Sequence, residues 1–438
     1  TVREESDPSY HLRRVSEALW PEFAAALMAE SGLDPEYRET GCLYLAFDDR
    51  ELEWLQHVAA RAARGGASPG PGAPAGHLRE APSASVPSTR PGHLAQAAAS
   101  TQLGEAASVM STRHSQAAHG PSTQLGQAAA ASSTPAGQAA AAAALAQVGQ
   151  TAAGPSTQVG QAATESAARA GQVAAVGEAS QLGPGGGGGD ALPRLLDRPA
   201  LREAEPALAP EVRGALLVAG GNVEPRRLCR ALEIAARRAG VEVCSGVEVT
   251  SLQRNGDRVT GVRTTDGTLA AECVVLAAGA WSAGISGVEP RPRVRPQRGQ
   301  IMAIDQSSIG LRHVLMTPED PYFVPRCDGR LVIGATREES GWDPSLTVGG
   351  VAWLLERAMQ VVPAARGCPI VELWTGFRPL SEDGLPFIGQ GGLRGLYFLT
   401  GHGPSGISPL PGSLALLSAL IAGEPPPLPP EPFDALRA

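Results

Sequence analysis

Two short stretches carry residue types that suit the binding of a dinucleotide. Residues 274–282, VVLAAGAWS, run a β-branched strand into a tight Ala-Gly-Ala turn, and residues this small let a backbone approach a cofactor closely. Gly183, Gly185 and Gly188 in GPGGGGGD formally satisfy G-x-G-x-x-G, the spacing that cradles a phosphate. They fail the context that gives the spacing meaning. No strand reads before them, DALPRLLD follows where a long apolar helix should, and a polyglycine run meets the pattern by chance. No Ser-His-Asp or paired-carboxylate constellation stands out. His11, His57, His77 and His313 share no ligand spacing, so no metal is assigned.

The elements that would position such chemistry fall into two blocks. Residues 1–64 read as helix, strand, helix: YHLRRVSEALWPEFAAALMAESG places Leu12, Val15, Leu19 and Phe23 on one face, GCLYLAFDD reads as a buried strand, and RELEWLQHVAARAARGG as a second helix. Residues 65–190 are Ala, Gly, Gln, Ser and Pro, with STQLGEAA, STQLGQAA and STQVGQAA as an irregular repeat. That composition buries too little apolar area to offset the entropy of ordering, which predicts a disordered low-complexity insertion. From residue 191 the chain is globular again. NVEPRRLCRALEIAARRAG predicts a helix with Pro225 in its first turn and Leu228, Ala231, Leu232 and Ala235 on one face. VEVCSGVEVTSL predicts strand, and the next segment a hairpin about Asp266-Gly267 that feeds VVLAAG. Residues 290–375 alternate short strands with one helix, and the end reads strand, glycine-rich turn, helix.

Composition bounds the partners. The formal net charge is −8 and every basic side chain is arginine, with no basic run, which argues against a nucleic-acid surface. Six scattered cysteines without CxxC spacing predict reduced thiols and an intracellular, reducing compartment, cytoplasm and plastid remaining equally open. The apolar run at Leu414–Ala422 is too short to span a bilayer, so no membrane partner is expected. The chain opens on Thr1, so the lack of a visible leader carries no weight.

Six motifs in order carry a family likeness: GNVEPRRLCRAL, VVLAAGAWS, VRPQRGQIMAI, YFVPRCDGRLVIGAT, ELWTGFRPLSEDGLPFIG and GLYFLTGHGPSGI. Together they resemble the D-amino-acid-oxidase-like flavoproteins, most closely the glycine oxidases of thiamine biosynthesis, over residues 7–64 and 191–435. The resemblance implies an α/β fold of two interleaved domains. A Rossmann-like FAD-binding domain would draw on residues 191–290 and 376–438, and an antiparallel-sheet substrate domain on 1–64 and 291–375. In that family a βαβ unit with the phosphate-loop fingerprint comes first, and this chain reads as starting after it. The implied chemistry is hydride transfer from a small amino acid or secondary amine to flavin, with molecular oxygen as acceptor. Two rivals stand beside it: a dehydrogenase passing electrons to another carrier, and a non-enzymatic chain unable to hold FAD. An oligomer is compatible with all three.

The same likeness implies residue roles. Arg378 matches the arginine that holds the substrate carboxylate, the alternative being an ion pair with Glu382 or Asp383. Tyr322 matches a tyrosine facing the substrate, the alternative being a half-buried strand tyrosine. The turn His402, Gly403, Pro404, Ser405, Gly406, Ile407, with the helix N-terminus behind it, would stabilise charge on the flavin pyrimidine. Relatives often carry a second arginine where this turn has Pro404, a departure that bears on the substrate. Val249, Ala278 and Gly279 would line the adenine side, and Arg298 reads as structural.

Overall fold

The computed structural model describes residues 7–63, 193–318 and 321–437; the stretch 65–190 and its polyglycine spacing lie outside them. The chain opens with helix α1 (Pro8–Ser31), whose first turn is fixed by Asp7 accepting from the Ser9 N–H at 2.8 Å. Its buried stripe is Leu12, Ser16, Trp20, Ala24 and Leu27. This face is rotated from the expected one: Val15, Leu19 and Phe23 are only half-buried. The small residues decide it, because Ser16 lets α1 approach a later helix closely enough for its Oγ to accept the Gly412 N–H at 2.9 Å.

Strand β1 (Cys42–Ala46) and helix α2 (Asp49–Ala63) follow as expected. After the undescribed stretch come β2 (Arg194–Leu196), α3 (Arg198–Ala204), β3 (Gly214–Val218) and α4 (Pro225–Arg238). In α4, Leu228 and Ala231 are buried with Ala236, while Leu232 and Ala235 are half-buried. Then come β4 (Val249–Asn255), β5 (Arg258–Thr264), β6 (Gly267–Ala270) and β7 (Val274–Leu276). Strand was expected from residue 241, but it begins at Val249. A strand exists only where a neighbour completes its hydrogen-bond ladder, and the structure pairs this segment only from Val249, with Thr264.

The remaining elements are β8 (Val294–Asp305), β9 (Val314–Met316), β10 (Tyr322–Pro325), β11 (Arg330–Gly334), α5 (Val348–Val361), β12 (Ile370–Ser381), β13 (Phe387–Gln390), β14 (Leu396–Thr400) and α6 (Leu410–Ala422). An eight-stranded sheet runs β12-β8-β11-β10-β9-β1-β3-β2, antiparallel except for the parallel pair β1 and β9. A three-stranded sheet runs β13-β14-β7 with β14 and β7 parallel, and a meander runs β4-β5-β6. Strands β2 and β3 come from residues grouped by sequence with the cofactor side, yet they extend the large sheet. Leu43 of β1 pairs with Leu217 of β3, and the fully apolar strand is satisfied only with a neighbour on each side. One face of the large sheet buries Leu43, Leu45, Met302, Phe323 and Ile333 against Leu354 and Ala358 of α5.

Candidate active site on the large sheet

The β8–β12 ladder is twelve residues long and sets which side chains share a face. Arg378 pairs with Gln297, Gly376 with Gly299 and Trp374 with Ile301. Ile301 pairs with Gly334 on β11, and Gly334 with Tyr322 on β10. Residues paired across a sheet point the same way and alternate along each strand, so Arg378 and Tyr322 share one face. Trp374 and Tyr322 do pack in a single apolar cluster there.

The polar ends of the two side chains converge. Arg378 Nη1 donates to the Thr336 carbonyl at 3.0 Å and to the Arg298 carbonyl at 3.3 Å. The Tyr322 hydroxyl leans over Gly334, where an added Cβ would stand 3.1 Å from its oxygen. Guanidinium and phenol therefore both reach the segment Gly334–Thr336. The two acids offered as structural partners of Arg378 are engaged by other arginines. Glu382 pairs with Arg293 at 3.1 Å, and Asp383 with Arg437 at 2.7 Å. That hydrogen bond from Arg437 holds the Asp383 carboxyl below the usual carboxylate range.

On the opposite face lies a polar network that sequence reasoning did not assemble. Arg298, its side chain 5% exposed, pairs with Glu338 at 2.5 Å and Asp343 at 3.0 Å, consistent with a structural role. Gln300 Nε2 donates to Glu338 at 2.8 Å and to Thr347 at 2.9 Å. Burial works to raise the Glu338 pKa, but hydrogen bonds from Thr336, Arg298 and Gln300 outweigh it and hold the carboxyl below its ordinary value. Trp281 stacks on Trp342 at 5.1 Å, and Phe377 meets both edge-on. The carbonyls that seat Arg378 have no residue-type signature, so no sequence signal could have found them.

The remaining expected residues gather at two strand ends. Strand β7 runs out through half-buried Ala278 and buried Gly279 (φ +54°), and β14 through Gly401 (φ +79°), His402 and Gly403 (φ +59°). Thr400 Oγ1 donates to the Gly279 carbonyl at 3.1 Å and meets Ser282 Oγ at 2.7 Å, pinning the two ends together. His402 Nε2 lies 3.1 Å from Ser413 Oγ, and burial lowers its pKa to about 4, so the ring is neutral near pH 7. Ser405 and Gly406 are half-buried, while Pro404 and Ile407 are exposed. Helix α6 starts only at Leu410, and its first donors are taken. The Leu410 N–H goes to the Ile407 carbonyl, Pro411 has none, and the Gly412 N–H goes to Ser16. Val249 stands apart at the exposed head of β4, in the meander. Among the described residues no acidic, histidine and cysteine group could hold a metal, and no helix is long and apolar enough to cross a membrane.

An α/β body with neighbouring parallel strands that end in glycine turns, beside an antiparallel sheet with a guanidinium and a phenol on one face, belongs with the nucleotide-cofactor oxidoreductases in architecture. The family model of FAD-dependent oxidoreductases matches residues 93–420, more than half of the chain, and the chain belongs to that family. It is 38% identical over 232 residues to the bifunctional protein ThiO/ThiG of Synechocystis sp., covering 52% of this chain and 35% of that protein. It is 34% identical over 244 residues to the glycine oxidase of Pseudomonas putida, covering 54% of this chain and 66% of that one. The chain thus spans less than two thirds of the length of these relatives. The crystal structure of glycine oxidase from Geobacillus kaustophilus shares the fold at a TM-score of 0.66 and 23% identity, covering 99% of this chain and 84% of that one.

The family's cofactor is FAD, and the described residues fit one end of it. Two neighbouring parallel strands end in turns whose glycines, at positive φ, keep side chains away from the strand ends, where an open α/β sheet takes a planar ligand. Ala278 and Gly279, expected on the adenine side, stand beside the turn His402–Ile407, expected at the flavin pyrimidine, because Thr400 pins the two strand ends together; the two groups would hold one ring system and not opposite ends of the cofactor.

Proposed function

We propose that this chain serves the FAD-dependent oxidation of a small amino acid or secondary amine, glycine and sarcosine first. The observation that carries the reading is the convergence of the Arg378 guanidinium and the Tyr322 hydroxyl on Gly334–Thr336. A planar fork presents two parallel N–H donors to a carboxylate, and a phenol beside it adds a third. Fixing the carboxylate fixes the α-carbon, and that orientation is most of what such a site contributes. When bound, FAD would supply the two-electron oxidant, with O₂ as the final acceptor, so that the two electrons and two protons lost by the substrate end in hydrogen peroxide. The substrate is left as an imine, which water hydrolyses to an oxo acid and ammonia or amine. Because the flavin takes the electrons, the chain itself needs no acid–base dyad. Pro404 stands where relatives often have a second arginine, so the carboxylate grip falls to Arg378 and Tyr322. The six cysteines all stand as free thiols, which supports a reducing intracellular compartment.

The test is oxygen uptake and peroxide release by the full-length flavin-loaded protein on glycine, sarcosine and D-alanine. Stoichiometric peroxide supports the reading. Substrate-dependent dye reduction without oxygen uptake would make it a dehydrogenase, and no turnover of any amine would sink the enzyme.

A further inference from the structure

We propose that Gly299 is a positioning residue: the lack of a side chain there gives the Arg378 guanidinium its seat. The inference rests on the reading of Arg378 as the carboxylate ligand. A Cβ built on Gly299 would stand 2.6 Å from Arg378 Nη2 and 2.8 Å from both Cζ and Nη1, closer than carbon atoms approach in real structures. The residue lies within β8 with no positive φ, so glycine is there for space and not for backbone conformation. The guanidinium lies flat across the strand at this one position.

Nothing behind the guanidinium can yield instead. The carbonyls of Arg298 and Thr336 that anchor Nη1 belong to backbones locked to their neighbours. The Arg298 N–H donates to the Glu338 carbonyl and the Glu338 N–H returns to the Arg298 carbonyl, each at 3.0 Å. The Gln300 N–H donates to Thr336 Oγ1 at 2.8 Å, and the Thr336 N–H donates to the Gln300 carbonyl at 3.2 Å. An added methyl group would therefore displace the arginine and leave the strands in place. The displaced end is the tip of a flexible side chain, so the fold survives and the fork loses its aim.

The sheet provides its own control. Gly376 is the register partner of Gly299, yet a Cβ on it would meet nothing within 4 Å. In the full-length flavin-loaded protein, Gly299→Ala is expected to weaken acetate binding, read by calorimetry, about tenfold or more. It should raise KM for glycine by a similar factor while kcat falls less, and Gly376→Ala should leave both within about twofold. In an Arg378→Ala background, Gly299→Ala should add nothing. Equal effects of the two glycine substitutions, or an undiminished cost of Gly299→Ala without the arginine, would overturn the proposal. Unchanged acetate affinity in Arg378→Ala alone would instead remove the reading beneath it. Should Gly299→Ala fail to fold, a folded double variant would still demonstrate the collision, and an unfolded one would refute it.

Discussion

Arg378 donates to two main-chain oxygens, those of Arg298 and Thr336, and this decides how it responds to substitution. Lysine carries the same charge as a single point donor and cannot both engage two carbonyls and present a planar fork. Arg378→Lys is therefore expected to lower kcat/KM for the amino-acid substrate roughly 50- to 100-fold, from the loss of one charge-assisted hydrogen bond, as steady-state peroxide assays would show. His402 gives a second prediction at this scale. Its ordinary value is 6.5 and its folded value about 4, because burial penalises the charged ring. The unfolded chain thus binds the extra proton between those values. The stability carried by the neutral ring is whole above pH 6.5 and is lost as pH falls toward 4. Urea titrations over that window should show a proton-linked loss on the order of 2 kcal/mol, absent in His402→Asn. At this scale the guanidinium itself was legible, since a side chain in a motif is a residue-type signal. Its seat was not, since Thr336 and Arg298 contribute only carbonyls there.

Helices and strands were legible where their partners are implicit in their own residues. The apolar run of β1 announces burial on both sides, and Pro225 announces the start of α4. Failure came where a partner decides. Residues 241–248 have strand chemistry, and the ladder nevertheless begins at Val249. Helix α1 turns its Ser16 edge inward, because a serine hydroxyl can do for α6 what an apolar side chain cannot. Ser16 is fully buried, donates to the Leu12 carbonyl at 2.9 Å and accepts the Gly412 N–H. Ser16→Ala should leave that N–H buried and unmet, costing about 1–3 kcal/mol. The denaturant midpoint should drop with an unchanged slope.

The molecule as a whole is built from pairings that no local window contains. Strand β1, near residue 44, lies between β3 and β9, so its neighbours are Leu216 and Met316. Strand β12 runs unbroken from Ile370 to Ser381, straight through the boundary at 375 that the family resemblance implied between the two domains. Alternation along each segment revealed strands, but which edges meet depends on contacts across hundreds of residues. The Ser16–Gly412 bond spans 396 positions. On a translating ribosome Trp20 and Leu27 of α1 wait only for Leu228 and Ala231 of α4, but Leu12 closes against Leu416 and Leu417 of α6, which are made much later. Nascent chains stalled before Leu410 should leave the Leu12 end of α1 open to protease, and chains in which α6 has cleared the ribosome should protect it. Protection appearing at the shorter length would show that this end finds another cover first. Late closure of this kind makes the wait between α1 and α6 an interval in which a chaperone matters for this protein.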